Sequence, residues 1–223
     1  MRGMILAAGR GGRMGALTYD TPKPLIKALG NYLIEYSIFS LIKAGVRDIV
    51  INVSYHGEQI QAALGDGSRY GVHFHYSVEL EALETGGGIL QALPLLGDEP
   101  FIVLSSDVVT DYPLQTLPTH LDHLAHLVVV DNPHFHPRGD FCLNKGKLYC
   151  AEQNPFTFAN IGIYRPELFA DCKPGKFRLG EVIRRAITKS AITGEHYSGI
   201  WHNVGTPDDL SKVVALTSSS AFR

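Results

Sequence analysis

The first residues with the makings of a site lie near the amino end, where Met4 to Leu25 reads MILAAGRGGRMGALTYDTPKPL. An apolar run closes at Ala8. Gly9, Gly11, Gly12 and Gly15 follow, with Arg13 among them and Lys23 beyond. Glycine reaches backbone angles closed to other residues and lets a ligand approach the main chain. Successive free N–H groups in such a loop cradle an anion, usually phosphate. Lys23 stands between Pro22 and Pro24, which keep the chain extended and aim its ammonium group. Backbone from Ala8 to Gly12 plus two aimed cations describes a clamp for a nucleoside triphosphate. Two other phosphate loops fit less well. A dinucleotide fingerprint, G-x-G-x-x-G, has Met14 in its third place and Gly15 one position late, with Glu35 as a ribose partner inside a predicted helix. A Walker A loop ends in G-K-[ST], which the chain lacks.

A carboxylate stands ready for the same chemistry. PFIVLSSDVVTDY reads as a buried strand ending at Asp107, and an acid just past a central strand faces the ligand crevice, where Mg²⁺ bridging phosphates would be held. The alternative is an Asp that caps the next turn, as Asp111 would. LETGGGIL sets Glu84, Thr85 and Gly86 at a helix start, where the N-terminus and bare backbone suit a flat or anionic ligand, or else make a crowded turn.

These groups need a scaffold, and the chain alternates strand and helix. RGMILAA, DIVINV, VHFHYSV, PFIVLSSD and HLVVVD read as strands. Helices are predicted over NYLIEYSIFSLIKAG, with Ile34, Ile38, Leu41 and Ile42 on one face and Gly45 as its stop, and over GEQIQAAL and ETGGGILQAL. Shorter strands (GDFCL, KLYC, ANIGIY) follow to about residue 163. Leu179, Val182, Ile183, Ala186 and Ile187 mark an amphipathic helix. Thr206, Pro207 and Asp209 announce the start of another. Alternation of this kind implies an α/β fold with a mostly parallel sheet, ligands at its strands' carboxyl ends, and a small antiparallel insertion. One domain over residues 1–223 is expected.

Composition narrows the classes. Apolar content of 45%, charged content of 19% and a net charge of −2 suit a soluble globule and supply no basic patch for nucleic acid or an anionic membrane. The N-terminal apolar run is too short for a signal peptide, and no segment reads as a membrane span. Cys142, Cys150 and Cys172 form no CxxC pair and read as packing residues in a reducing, cytoplasmic setting. His120, His123 and His126, and His134 with His136, lack acidic or thiol partners at metal spacing.

The stretch LAAGRGGRMGALTYDTPKPL resembles the signature LAAGxGxRMxPLTxxxPKPL of the sugar-1-phosphate nucleotidyltransferases, with Ala16 in place of a proline. The resemblance implies a Rossmann-like three-layer fold. It gives the triphosphate to Ala8, Gly9, Gly11, Gly12 and Arg13, the α-phosphate to Lys23, and the base and ribose to Glu84, Thr85 and Gly86. Asp107 matches the family's magnesium aspartate. The second metal ligand is the aspartate of W-x-D-x-G-T, and here WHNVGT places Asn203 there. An amide oxygen ligates Mg²⁺ without bringing charge. Asp140 in HPRGDF, Glu152 in AEQNPF and Asn160 in FANIGIY are the sugar candidates, although the lysine that many members carry beside that glutamate is missing. LGDGSRYG, LETGGGI, RGDF and GEHYSG resemble a branch that joins UTP to N-acetylmuramic acid 1-phosphate in peptidoglycan recycling. The implied partners are small molecules, with the protein a monomer or small homo-oligomer. Asn203 leaves a second reading open, a regulatory homologue that binds nucleotide sugars without turnover. The same chemistry with another sugar and NTP is a third.

Overall fold

The computed structural model describes residues 1–215; residues 216–223, the end of the expected domain, lie outside the described residues. The strands are β1 (Gly3–Leu6), β2 (Lys27–Ala28), β3 (Asn31–Tyr32), β4 (Asp48–Val53), β5 (His73–Val78), β6 (Phe101–Ser105), β7 (Val108–Thr110), β8 (Ala125–Asp131), β9 (Cys142–Asn144), β10 (Lys147–Tyr149), β11 (Phe156–Tyr164), β12 (Ile192–His196) and β13 (Trp201–Asn203). The helices are α1 (Leu33–Lys43), α2 (Gly57–Leu64), α3 (Glu84–Leu96), α4 (Leu179–Thr188) and α5 (Pro207–Ala215).

Nine strands join one sheet in the order β5-β4-β1-β6-β11-β8-β12-β10-β9. The half from β5 to β6 is parallel throughout. β11 then enters antiparallel to both β6 and β8, β12 runs parallel to β8, and the β9–β10 hairpin closes the far edge. The protein is thus an α/β fold with helices on both faces and a small antiparallel portion.

Side chains on neighbouring strand positions point to opposite faces, which is why the central strands are apolar throughout. Ile5, Ile49, Ile51 and Leu104 face α1 and α2, whose Ile34, Ile38, Leu41 and Ile60 are buried against them. Met4, Val50, Val103 and Val129 face α3 and α4, meeting Ile89, Ala92, Val182 and Ile183. A third cluster, with Met14, Leu33, Val109, Val204 and Val213, packs α5 beneath the glycine loop.

Register positions the site. Leu6 at the end of β1 pairs with Asn52 of β4 on one side and Ser105 of β6 on the other. The loops leaving these three strands therefore emerge side by side, the expected ligand crevice of a parallel sheet.

Some elements depart from the sequence reading. α3 runs past Leu93, the end of the expected segment, and through Pro94 to Leu96, which is almost wholly buried. β12 and the two-stranded ribbon of β7 and β13 carry no alternating pattern and were not expected. Between β7 and β8 lies a 3-10 turn, Leu114–Thr116, where the strand–helix alternation would put a helix. Cys142 is buried as expected, but Cys150 is exposed.

Candidate active site

The glycine loop is shaped by two contacts. Gly11 has φ +67°, and a Cβ there would lie 2.8 Å from the Lys23 Cβ, so both conformation and space demand glycine. Met14 N–H donates to the Gly11 carbonyl at 2.8 Å, and Thr18 Oγ1 donates to the carbonyls of Gly11 and Gly15. A Cβ on Gly9 or Gly12 would meet nothing within 4 Å, since both face the open cleft. Lys23 is held differently from the expectation. Pro22 is extended, but Pro24 lies inside a 3-10 turn over Lys23–Leu25, and that turn aims the largely buried lysine stem.

The lysine ammonium meets the Asp107 carboxylate directly. Ser105 Oγ donates to Asp107 Oδ1 at 2.6 Å, and Ser37 Oγ donates to the Ser105 carbonyl at 2.9 Å. Pairing of Val108 with Asn203 in the β7–β13 ribbon brings Asn203 alongside. With its nitrogen inward, the Asn203 amide donates to both Asp107 carboxylate oxygens at 3.2 Å. The Arg13 guanidinium lies against Gly205, where a Cβ would come within 3.2–3.4 Å of it. Arg13, Lys23 and Asp107 thereby line one cleft of about 1160 Å³, and Asn203, beside Asp107, lines the adjoining chamber of about 630 Å³. Asp111 acts as a local anchor, accepting from Ile200 N–H at 2.8 Å and from the Tyr197 hydroxyl, whose pKa burial and this carboxylate both raise.

A buried strut that the sequence reading missed braces the other end. Ala7 N–H donates to Asn52 Oδ1 (2.9 Å), Asn52 Nδ2 donates to Glu79 Oε1 (2.7 Å), and Leu83 N–H donates to Glu79 Oε2 (2.8 Å). Both side chains are almost fully buried, so each polar atom depends on these partners. The signal was an asparagine inside the apolar run DIVINV.

The start of α3 needs a correction. Its glycines do not hold bare backbone open to a ligand. Gly86 and Gly87 N–H both donate to the Phe177 carbonyl, Leu179 N–H donates to Thr85 Oγ1, and a Cβ on Gly86 would lie 2.5 Å from the Phe177 ring. Gly86 serves this packing, and the cleft is lined here by Leu80, Glu84 and Thr85. Glu84 adopts φ +61°, a strained conformation for a side-chain-bearing residue.

The sugar candidates are not gathered in the cleft. Asp140 Oδ2 accepts from Phe158 N–H at 2.9 Å and Oδ1 faces His136 Nε2 at 3.1 Å, so it braces its own loop. Glu152 is exposed on a separate cavity of about 860 Å³ beside Arg138. Asn160 sits at φ +57° in the β-bulge between Phe158 and Gly162, with no side-chain hydrogen bond among the described residues. Beside it, Trp201 Nε1 donates to the Ala159 carbonyl at 2.9 Å. A chamber of about 630 Å³ walled by Phe135, Tyr197 and Trp201 shares Arg13 and Gly205 with the cleft.

Residues 2–139 match the model of the nucleotidyl transferase family, more than half of the chain. The chain belongs to that family. Within it, the chain is 44% identical to N-acetylmuramate alpha-1-phosphate uridylyltransferase of Neisseria meningitidis serogroup B, over 98% of this chain and 99% of that protein. It is 32% identical to the protein of the same name from Caulobacter vibrioides, over 92% and 91%. The fold is shared with the inositol-1-phosphate CTP transferase of T. maritima, at a TM-score of 0.83 and 20% identity, covering 97% of this chain and 94% of that one. Among the described residues, no helix is long and apolar enough to cross a membrane.

Proposed function

We propose that the protein transfers UMP from UTP to N-acetylmuramic acid 1-phosphate and releases pyrophosphate. The carrying observation is the meeting of Arg13, Lys23 and Asp107 at the flush ends of β1 and β6, beside an open glycine loop. The likeness to the two uridylyltransferases supports the choice of base and sugar.

An oxygen of the sugar phosphate attacks the α-phosphorus in line. The new P–O bond forms as the bond to the β-phosphate breaks, so no protein nucleophile is required. What remains is positioning and charge neutralisation. Backbone N–H groups of Gly9, Gly11 and Gly12 and the Arg13 guanidinium take the charge of the departing pyrophosphate. Lys23 neutralises the α-phosphate. Glu84 and Thr85 border the ribose and base, and the Asn52–Glu79 strut fixes the distance between that wall and the glycine loop. Asn160, with an uncommitted amide, faces the sugar, Asp140 braces the loop beside it, and Glu152 stands exposed at the neighbouring cavity.

The donors fit a hard divalent cation. The Asp107 carboxylate and the Asn203 side-chain amide lie 3.2 Å apart, and a carboxylate and an amide oxygen are ligand types that Mg²⁺ accepts. Asp107 and Asn203 would hold Mg²⁺, which would supply positive charge to neutralise the reacting phosphates. Such a product fits recycling of a cell-wall sugar, a cytoplasmic task by this reading.

The test is pyrophosphate release with Mg²⁺, crossing four NTPs with N-acetylmuramic, N-acetylglucosamine and glucose 1-phosphates. Release confined to UTP with the muramic compound supports the full reading. Another productive pair keeps the chemistry and changes the substrate. No release, with UTP still bound, leaves a nucleotide-binding regulatory protein.

A further inference from the structure

The chamber of about 630 Å³ continues from the reacting end of the cleft, since Arg13 and Gly205 line both. Its size is that of a ligand pocket, about 300–1,000 Å³. Trp201 and Tyr197 form a fixed wall. Trp201 Nε1 donates to the Ala159 carbonyl at 2.9 Å, and Tyr197 is held by its hydroxyl on Asp111 and by the Tyr112 ring, with centroids 5.1 Å apart.

Another wall is the tip of the loop between β8 and β9. The base of this loop is braced: Asn132 Nδ2 donates to the carbonyls of Pro137 at 3.2 Å and Asn154 at 2.7 Å, and Thr157 Oγ1 donates to Asn132 Oδ1 at 2.8 Å. His136 N–H closes the tip on the Pro133 carbonyl at 2.9 Å. The two residues between, His134 and Phe135, are exposed, Phe135 by 52%. A lone exposed phenylalanine means little, but this one lines a pocket that two further aromatic rings wall.

The carboxylates of the chamber are all engaged. Asp131 faces His196 Nε2 at 3.0 Å, Asp208 meets the Lys212 ammonium at 2.7 Å, and Asp209 Oδ2 accepts from Gly205 and Thr206 N–H. Lys212 is thereby committed, and Arg13 serves the pyrophosphate in the proposed reaction. The His134 side chain makes no hydrogen bond or ion pair among the described residues, so its N–H is free for a ligand. A free donor and an apolar ring thus stand on adjacent residues.

N-acetylmuramic acid differs from N-acetylglucosamine by a lactic acid ether on O3, an arm with one methyl and one carboxylate. Reading that arm takes an apolar surface and a donor side by side. We infer that Phe135 covers the methyl of the lactyl arm and His134 donates to its carboxylate, which makes this loop tip the element that selects the sugar. The inference rests on N-acetylmuramic acid 1-phosphate being the substrate.

Pyrophosphate release at saturating UTP with Mg²⁺ gives kcat/KM for N-acetylmuramic acid 1-phosphate and for its lactyl methyl ester, with wild type, His134→Ala, Phe135→Ala and Phe135→Leu. With the acid, each alanine variant should lose about tenfold, chiefly through KM, the size of one small apolar contact or one charge-assisted hydrogen bond. Phe135→Leu, which keeps an apolar surface, should recover most of that loss. The ester should cost the wild type about tenfold and His134→Ala little more, because the variant has already lost the bond that the ester removes. UTP binding by calorimetry identifies the folded variants. Folded alanine variants that use the acid as well as wild type overturn the inference, as does a His134→Ala penalty undiminished with the ester. Wild type that uses ester and acid equally well overturns it without any variant. No release by wild type from UTP and the acid overturns the reaction reading itself, which is a separate result.

Discussion

Lys23 and Asp107 lie 84 positions apart in sequence yet pair directly in the site. In the proposed mechanism the ammonium meets the α-phosphate, so Lys23→Met should lower kcat by about 10²–10³-fold, the cost of losing one transition-state donor. The KM for UTP should move far less, and steady-state kinetics check the split. His202, next to Asn203, gives a pH signature. Burial holds its imidazole below the ordinary histidine pKa, overriding the opposite pull of Asp209, while Lys212 pushes it further down. The unfolded chain therefore binds a proton, from about pH 6.5 downward, that the folded protein refuses until its own lower pKa. Stability should be full above that range, fall as the pH drops through it, and level off below the folded pKa. Melting temperatures between pH 8 and 5 for wild type and His202→Gln check this, and the variant should show the flatter profile. At this scale Arg13, Lys23, Asp107 and Asn203 were legible because each sits in a distinctive local context. Asn52, Glu79 and Ser105 were not, because their partners are supplied by register across β1, β4 and β6.

Elements explain what the glycines were for. The triplet at the start of α3 looked like room for a ligand, but that room is filled from within the fold. Gly86 accommodates the Phe177 ring, Gly87 the Gly175 carbonyl at 2.2 Å from a would-be Cβ, and Gly88 the Asn52–Glu79 pair. Nothing near residue 86 in sequence announces a segment some 90 positions away. Gly87→Ala should be the most damaging of the three, because backbone cannot step aside as a side chain can. Overpacking of this kind costs about 1–3 kcal/mol. Denaturant unfolding should show that loss, with Gly9→Ala, which opens onto empty space, as the mild comparison. The apolar strands and amphipathic helices were readable from periodicity. The β7–β13 ribbon was not, since three-residue strands carry too few positions to show a period.

The only tryptophan of the sequence, Trp201, walls the chamber that adjoins the glycine-loop cleft at Arg13 and Gly205, between the proposed nucleotide and sugar ends. Trp201 bonds the Ala159 carbonyl, next to the Asn160 bulge and two residues before Asn203. Its emission should change when the sugar phosphate binds in the presence of UTP, and Asn160→Ala should abolish or weaken that change without altering UTP binding. A fluorescence titration reads both. The molecule's layering was legible in the sequence, as was its α/β class. The way its two halves join was not, because the bulged strand that joins them reads like any other apolar strand. β11 is hydrogen-bonded to β6 on one side and to β8 on the other. The proposed nucleotide and sugar walls thus hang from one continuous sheet, paired with β8 on both sides of the β11 bulge, a frame that resists a large swing between them. A crystal of the free protein should accordingly survive soaking with UTP and sugar phosphate without cracking, and the product should form inside an intact lattice.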